Sequence, residues 1–218
     1  MSDSKKTTAD LVFGLQIILA WVFSIAQARQ MLLKGTQGTT ITWFLFFELF
    51  LSVNLYLAYG VYQEIKDRKT FQILLVYLNW VLLITVNLAI IMCKGTWKID
   101  DSIVSIFVVI GVVSTLCVGY RGSIRNTIGD PVTKGVAAIF FKGVPQLFMG
   151  YCIYRDHGGT GLHWVALVGG HCTVCLRLME ITMEIRKIGW NRKLKGLFIG
   201  EIGNWGSWIV TSIIWIAV

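Results

Sequence analysis

Apolar residues in this chain fall into seven long runs, separated by short breaks rich in charge, glycine or threonine. The runs cover residues 11–33, 43–62, 71–93, 102–120, 135–154, 162–185 and 196–218. Most approach or exceed the roughly 18 apolar residues that mark a bilayer-spanning helix. The pattern predicts an all-α membrane protein of seven transmembrane helices. The fourth run has no ionisable side chain and reads as a connector. The fifth contains Pro145, which removes one backbone hydrogen bond and predicts a kink.

Composition agrees with the pattern. Hydrophobic residues make up 55% of the 218 positions and charged residues only 15%, where a soluble domain carries about 25% charged. The net charge of +8 does not point to nucleic acid, because lysine and arginine gather in alternate breaks. The N-terminus and the breaks after runs 2, 4 and 6 hold thirteen of the twenty, and the opposite side holds five. The positive-inside rule therefore puts the N-terminus inside and the C-terminus outside. Lys5, Lys6 and the Ala26-Gln27-Ala28 stretch imitate a secretory leader, but the first run is expected as a retained helix. The five cysteines lie in or beside apolar runs and read as packing residues, including the Cys172-x-x-Cys175 pair. The multi-pass character favours a plasma or inner membrane. The partners it implies are the lipid bilayer and a small solute, and it also allows a homo-oligomer.

Two Asn-Trp pairs, Asn79-Trp80 and Asn204-Trp205, sit deep in runs 3 and 7. A buried amide there seeks a partner helix or a solvated cavity, and the Trp beside it adds a flat apolar face with one N–H donor. The two pairs belong to a wider repeat. Gln27, Trp43 and Asn79 recur as Gln146, Trp164 and Asn204, at offsets of 119, 121 and 125. Runs 1–3 thus match runs 5–7 around a lone fourth helix, as in duplicated transporters. The expected division is 1–95 for the first three-helix bundle, 96–125 for the linker helix and 126–218 for the second bundle.

In these residues the chain resembles the PQ-loop superfamily, which includes the SWEET sugar transporters. The second copy reads Pro145-Gln146, then Arg155 and Gly159-Thr160. The first reads Ala26-Gln27, then Lys34, Gly38-Thr39 and Tyr59-Gly60, with Ala26 where the family has its first proline. The resemblance implies a 3+1+3 fold, a solute site at Asn79 and Asn204, and hinges at Pro145, Gln146 and Gln27. It also implies an N-terminus on the outer side, opposite to the charge rule.

By this reading Asn79, Asn204, Trp80 and Trp205 bind solute, the amides to hydroxyl groups and the rings by stacking. Trp208 reads as packing, and His171 as a packed neutral imidazole. Ionisable groups within spans carry functional weight, so Glu201 and Glu48 are the candidates for proton coupling. Arg177 and Glu180, three residues apart, are expected to pair on one helix face. Lys142 is placed either to snorkel or to approach an anionic solute. No nucleophile elbow, phosphate loop or metal-ligand spacing occurs, so neither an enzyme nor a cofactor or metal is expected. The leading function is facilitated diffusion of a small polar solute, a sugar foremost, by alternating access. The alternatives are a proton-coupled carrier of amino acids, nucleosides or vitamins, and a seven-span receptor or structural protein.

Overall fold

The computed structural model describes residues 3–218, with side chains from Asp10 onward apart from Val12. Lys5 and Lys6, counted in the charge comparison, lie outside the described side chains. Among the described residues the chain is helical and has no strand. The helices are α1 (Asp3–Lys34), α2 (Ile41–Ile65), α3 (Arg68–Lys94), α4 (Ile99–Val118), α5 (Ile124–Gly129), α6 (Pro131–Ala138), α7 (Val144–Arg155), α8 (Trp164–Ile188) and α9 (Arg192–Ala217). A π-helical turn, Ile139–Gly143, joins α6 to α7.

Among the described residues, six stretches are long and apolar enough to cross a membrane: Phe13–Lys34, Ile41–Ile65, Arg68–Lys94, Ile99–Val118, Pro131–Arg155 and Trp164–Ile188. The expected seventh, α9, has 26 residues but falls outside this set. Glu201, Asn204, Ser207, Thr211 and three tryptophans dilute its apolar residues.

One local expectation needs correction. Residues 121–134, expected as a loop, hold α5 and the start of α6. Ser123 caps α5 by accepting from the Asn126 N–H, and Asp130 caps α6 by accepting from the Thr133 N–H at 3.0 Å. Pro131 takes the first helical position, where its missing N–H costs nothing. At Pro145 the structure shows how the lost backbone hydrogen bond is accommodated. The backbone widens one turn earlier, where the Val144 N–H reaches back five residues to the Ile139 carbonyl. Such a π turn makes room for the proline ring, which would otherwise strike the carbonyl four residues before it.

The packing forms two groups. Helix α3 lies against both α1 and α2, and α9 lies against α6, α7 and α8. Between the groups, α1 meets α8, and α2 meets the π turn and α7. Helix α4 rests on the second group and on α2. The α6–α9 seam needs small residues, because a Cβ on Gly135 would collide with the Gly196 backbone. The core, with Phe44, Ile84, Met149 and Ile153 almost fully buried, draws on both groups. The α1–α2 and α7–α8 connections lie at one end of the helices, called here the loop end. The end that carries residues 66–69, 121–134 and 186–195 is the basic end.

Candidate functional site

The loop end is closed by bonds between the two groups. Gln27, on α1, is fully buried; its Nε2 donates to the Gly161 carbonyl at 2.7 Å, and its Oε1 accepts from the His163 N–H at 3.2 Å. Gly161 N–H donates to the Gln37 carbonyl at 2.8 Å. Gln37 Nε2 donates to the Asp156 carbonyl, and the Thr160 hydroxyl donates to Gln37 Oε1. Ion pairs surround these bonds: Arg155 engages Asp100 and Asp156, and Lys98 reaches Asp156 at 3.3 Å. The Arg155 guanidinium, aided by Lys98, holds the Asp156 carboxyl below the usual carboxylate range. A cavity of about 200 Å³, lined partly by Thr40, Ile91, Asp101 and Cys152, remains within this closure. Apart from Arg125–Glu64, every polar bond that joins α1–α3 to α6–α9 or their connections is at this end, among the described residues.

Below the closure lies a layer of aromatic rings. Trp80 meets Phe23 edge-on at 5.7 Å and Phe47 at 6.3 Å. Phe47 stacks on Trp43, and Trp43 meets Trp208 edge-on at 6.0 Å across the groups. Such offset and edge-on pairs suit the ring quadrupoles.

Charged groups gather on the basic side of this layer. Tyr77 lies three residues before Trp80 on α3, and Glu201 seven before Trp208 on α9, about 10 Å at 1.5 Å per residue. Glu201 Oε1 stands 3.9 Å from Lys142 Nζ, which the π turn carries inward. The Lys142 ammonium also sits over the Phe50 ring, 4.9 Å from its centroid. Arg177 donates to Glu180 at 2.8 Å on α8. Tyr77 and Glu201 act electrostatically on Arg177, and Arg177 and Lys142 act on Lys134. The π turn and α9 thus bring Lys142 and Glu201 together, and α8 pairs Arg177 with Glu180. Side-chain exposure rises from 9% at Lys142 through 20% at Glu201 to 39% at Arg177.

The predicted solute ligands are distributed differently. Asn79 is in the α1–α3 seam, where Trp21 Nε1 donates to its Oδ1 at 3.0 Å and its Nδ2 is buried without an acceptor. Asn204 is half-buried on α9, and no bond joins it to Asn79. Trp80 and Trp205 pack on the core. Gln27 bonds the α7–α8 connection, whereas Gln146 turns to α9, its Oε1 accepting from Ser207 at 3.2 Å and its carbonyl from Thr211. Pro145 is buried beside it. Glu48 is separate from Glu201: it accepts from Thr85 at 2.8 Å in the α2–α3 seam, and its second oxygen is buried and unpartnered. His171 packs against Trp208 and shares a hydrogen bond with Ser212. Arg177 and Glu180 do pair, and they belong to the central cluster. Tyr77 and Lys134 escaped the sequence reading. Their signal was the match between a lysine four residues into α6 and the acid and base on facing helices, which requires knowing which helices face.

The fold and this cluster define an all-α, multi-pass membrane protein with ionisable groups held between its helix groups. No protein-family model, no curated protein and no solved structure matches the chain.

Proposed function

We propose that the chain is a membrane carrier that moves a small polar solute by alternating access between two three-helix bundles joined by α4. In this reading α1–α3 and α6–α9 are the repeats, α6 and α7 together form one span, and α9 is the seventh. The observation that carries the proposal is the contrast between the ends. Bonds and rings seal the loop end, while the ionisable groups lie towards the basic end, where α2 and the π turn meet through Phe46, Phe50 and Phe141 and, among the described residues, Arg125–Glu64 is the polar bond that reaches α1–α3 from the second half of the chain. A closed end with ionisable groups behind it matches one of the two states such a carrier needs. The preference for sugar comes from the PQ-loop resemblance; neither Asn79 nor Asn204 is bonded as a pair around a common chamber.

The test is a lockable gate. Gln37→Cys with Thr160→Cys, in a chain whose native cysteines are replaced by serine or alanine, brings two thiols together across the closure. Uptake of sugars, amino acids, nucleosides and organic acids is measured in proteoliposomes before and after oxidation. Saturable uptake that stops on oxidation and returns on reduction supports alternating access. Well-folded protein that takes up nothing refutes the carrier and leaves a receptor or structural role.

A further inference from the structure

Glu48 is the one carboxyl on α2 before Glu64, and it lies about 10 Å along the helix from its first residue, at 1.5 Å per residue. Its partner is Thr85 on α3. Thr85 Oγ1 is 2.8 Å from Glu48 Oε1 and also 2.8 Å from the Val81 carbonyl oxygen, one turn back. A threonine hydroxyl carries one hydrogen. Two oxygen–oxygen contacts at the ordinary O–H···O length need two. The other carboxyl oxygen, Glu48 Oε2, is buried and meets no donor among the described residues.

With Glu48 ionised, these contacts are not all met. Thr85 gives its hydrogen to Oε1, the Val81 carbonyl faces a hydroxyl oxygen with no hydrogen between them, and Oε2 holds charge away from any donor. An unpaired charge is costly within a span, and no cation offsets this one. Along α3 no charged residue occurs between Lys69 and Lys94. Of the other elements packed on α2, the π turn places Lys142 over Phe50, α4 brings Asp101 to Thr42, and α7 carries Arg155, engaged by Asp100 and Asp156. None of them bonds Glu48 among the described residues. With a proton on Oε1 the donation reverses. Glu48 gives its O–H to Thr85, Thr85 gives its own to Val81, and both contacts become hydrogen bonds. Oε2 is then a neutral carbonyl, far cheaper to bury than a charged oxygen.

We propose that Glu48 is a proton-binding site, held as a neutral carboxylic acid in this loop-closed state and donating its hydrogen to Thr85. The inference stands apart from the carrier reading. It selects Glu48 over Glu201, which stands 3.9 Å from the Lys142 ammonium, as the group that takes up a proton within the membrane. A proton-coupled carrier requires a group of that kind.

The experiment is infrared spectroscopy of the full chain at pH 7, in a detergent without ester groups. A protonated carboxyl has a C=O stretch of its own there, apart from the bands of a carboxylate. The native spectrum minus that of Glu48→Gln is expected to show one such band. Thr85→Val keeps Glu48 and removes its hydroxyl partner, so it is expected to retain the band and to shift it. Glu48→Gln is a neutral mimic whose amide N–H also donates to Thr85, and it is expected to melt no lower than the native chain. The absence of a protonated-carboxyl band from the difference spectrum, or a band that Thr85→Val leaves unmoved, overturns the proposal. A Glu48→Gln chain that fails to fold or melts well below the native one overturns it too, since a neutral side chain is what the site is expected to hold. Failure here leaves the carrier reading standing, and a chain that takes up no solute leaves this site standing.

Discussion

Gly38 and Gly159, 121 residues apart, lie against each other at the loop end: a Cβ on Gly38 would sit 2.7 Å from the Gly159 Cα. Gly38 also has φ +77°, a left-handed conformation that a side chain strains. The two Gly-Thr turns that the sequence pairs as repeats thus meet in space, and the contact is backbone on backbone.

Gly38→Ala should therefore open this end. Left-handed strain alone costs about 1–3 kcal/mol, and the Gly158 carbonyl, 2.9 Å from the new methyl, adds a clash. Cys152 is a native reporter, being buried and on the wall of the loop-end cavity. Its alkylation, followed peptide by peptide, is expected to quicken in Gly38→Ala, with a lowered melting temperature in detergent. An unchanged rate would show that the glycine contact does not hold the closure.

Gln27 is the second fastening. Gln27→Leu fits the volume but leaves the buried Gly161 carbonyl and the part-buried His163 N–H without this partner. Stranding such groups costs about 1–3 kcal/mol each. We expect a destabilised loop end and faster Cys152 alkylation, with α1 itself still helical by circular dichroism.

The Arg155 pairs are partly exposed, so their worth is small, about 0–1 kcal/mol, and sensitive to salt. Cys152 alkylation in the native chain is expected to rise modestly between low and high salt. In Arg155→Ala the low-salt rate should already match the high-salt one. A salt response that survives the substitution would assign the effect to other charges.

At the basic end Asp130 caps α6 and receives Arg192 at 2.6 and 3.0 Å. The Arg192 guanidinium, with the Thr133 N–H and hydroxyl, holds its carboxyl well below the usual carboxylate range. A depressed carboxylate stabilises the fold above its unfolded pKa, about 3.9, and loses that contribution as pH falls through the native value. Asp130→Asn keeps a capping oxygen but loses the charged acceptor that Arg192 engages, and should cost about 1 kcal/mol or more at pH 7. The gap between the two unfolding curves should narrow as pH drops below about 4.

Helix content and most spans were written in the apolar runs, and so was the Arg177–Glu180 pairing, because each depends on neighbours along one helix. The π turn was not, since Pro145 signals a disturbance without saying whether the helix bends or widens. The functional region was legible only in pieces. Lys142 and Glu201 each stood out as charges within a span, but their approach depends on Gly135 and Gly196 letting two helices touch. Asn79 illustrates a related limit. Its depth suggested a chamber, while its position on α3 turns it to Trp21, and depth carries no information about which way a helix faces.

The Lys142–Glu201 pair also bears on how the chain is made. Lys142 emerges from the ribosome 59 residues before Glu201, so the Pro131–Arg155 stretch meets the membrane with its buried lysine unanswered. A lysine at mid-helix disfavours insertion by about 2.5–3.5 kcal/mol. The apolar residues around it must carry that cost until α9 follows with its carboxylate, 3.9 Å away in the finished fold. The last helix to be made thus supplies the countercharge of an earlier one.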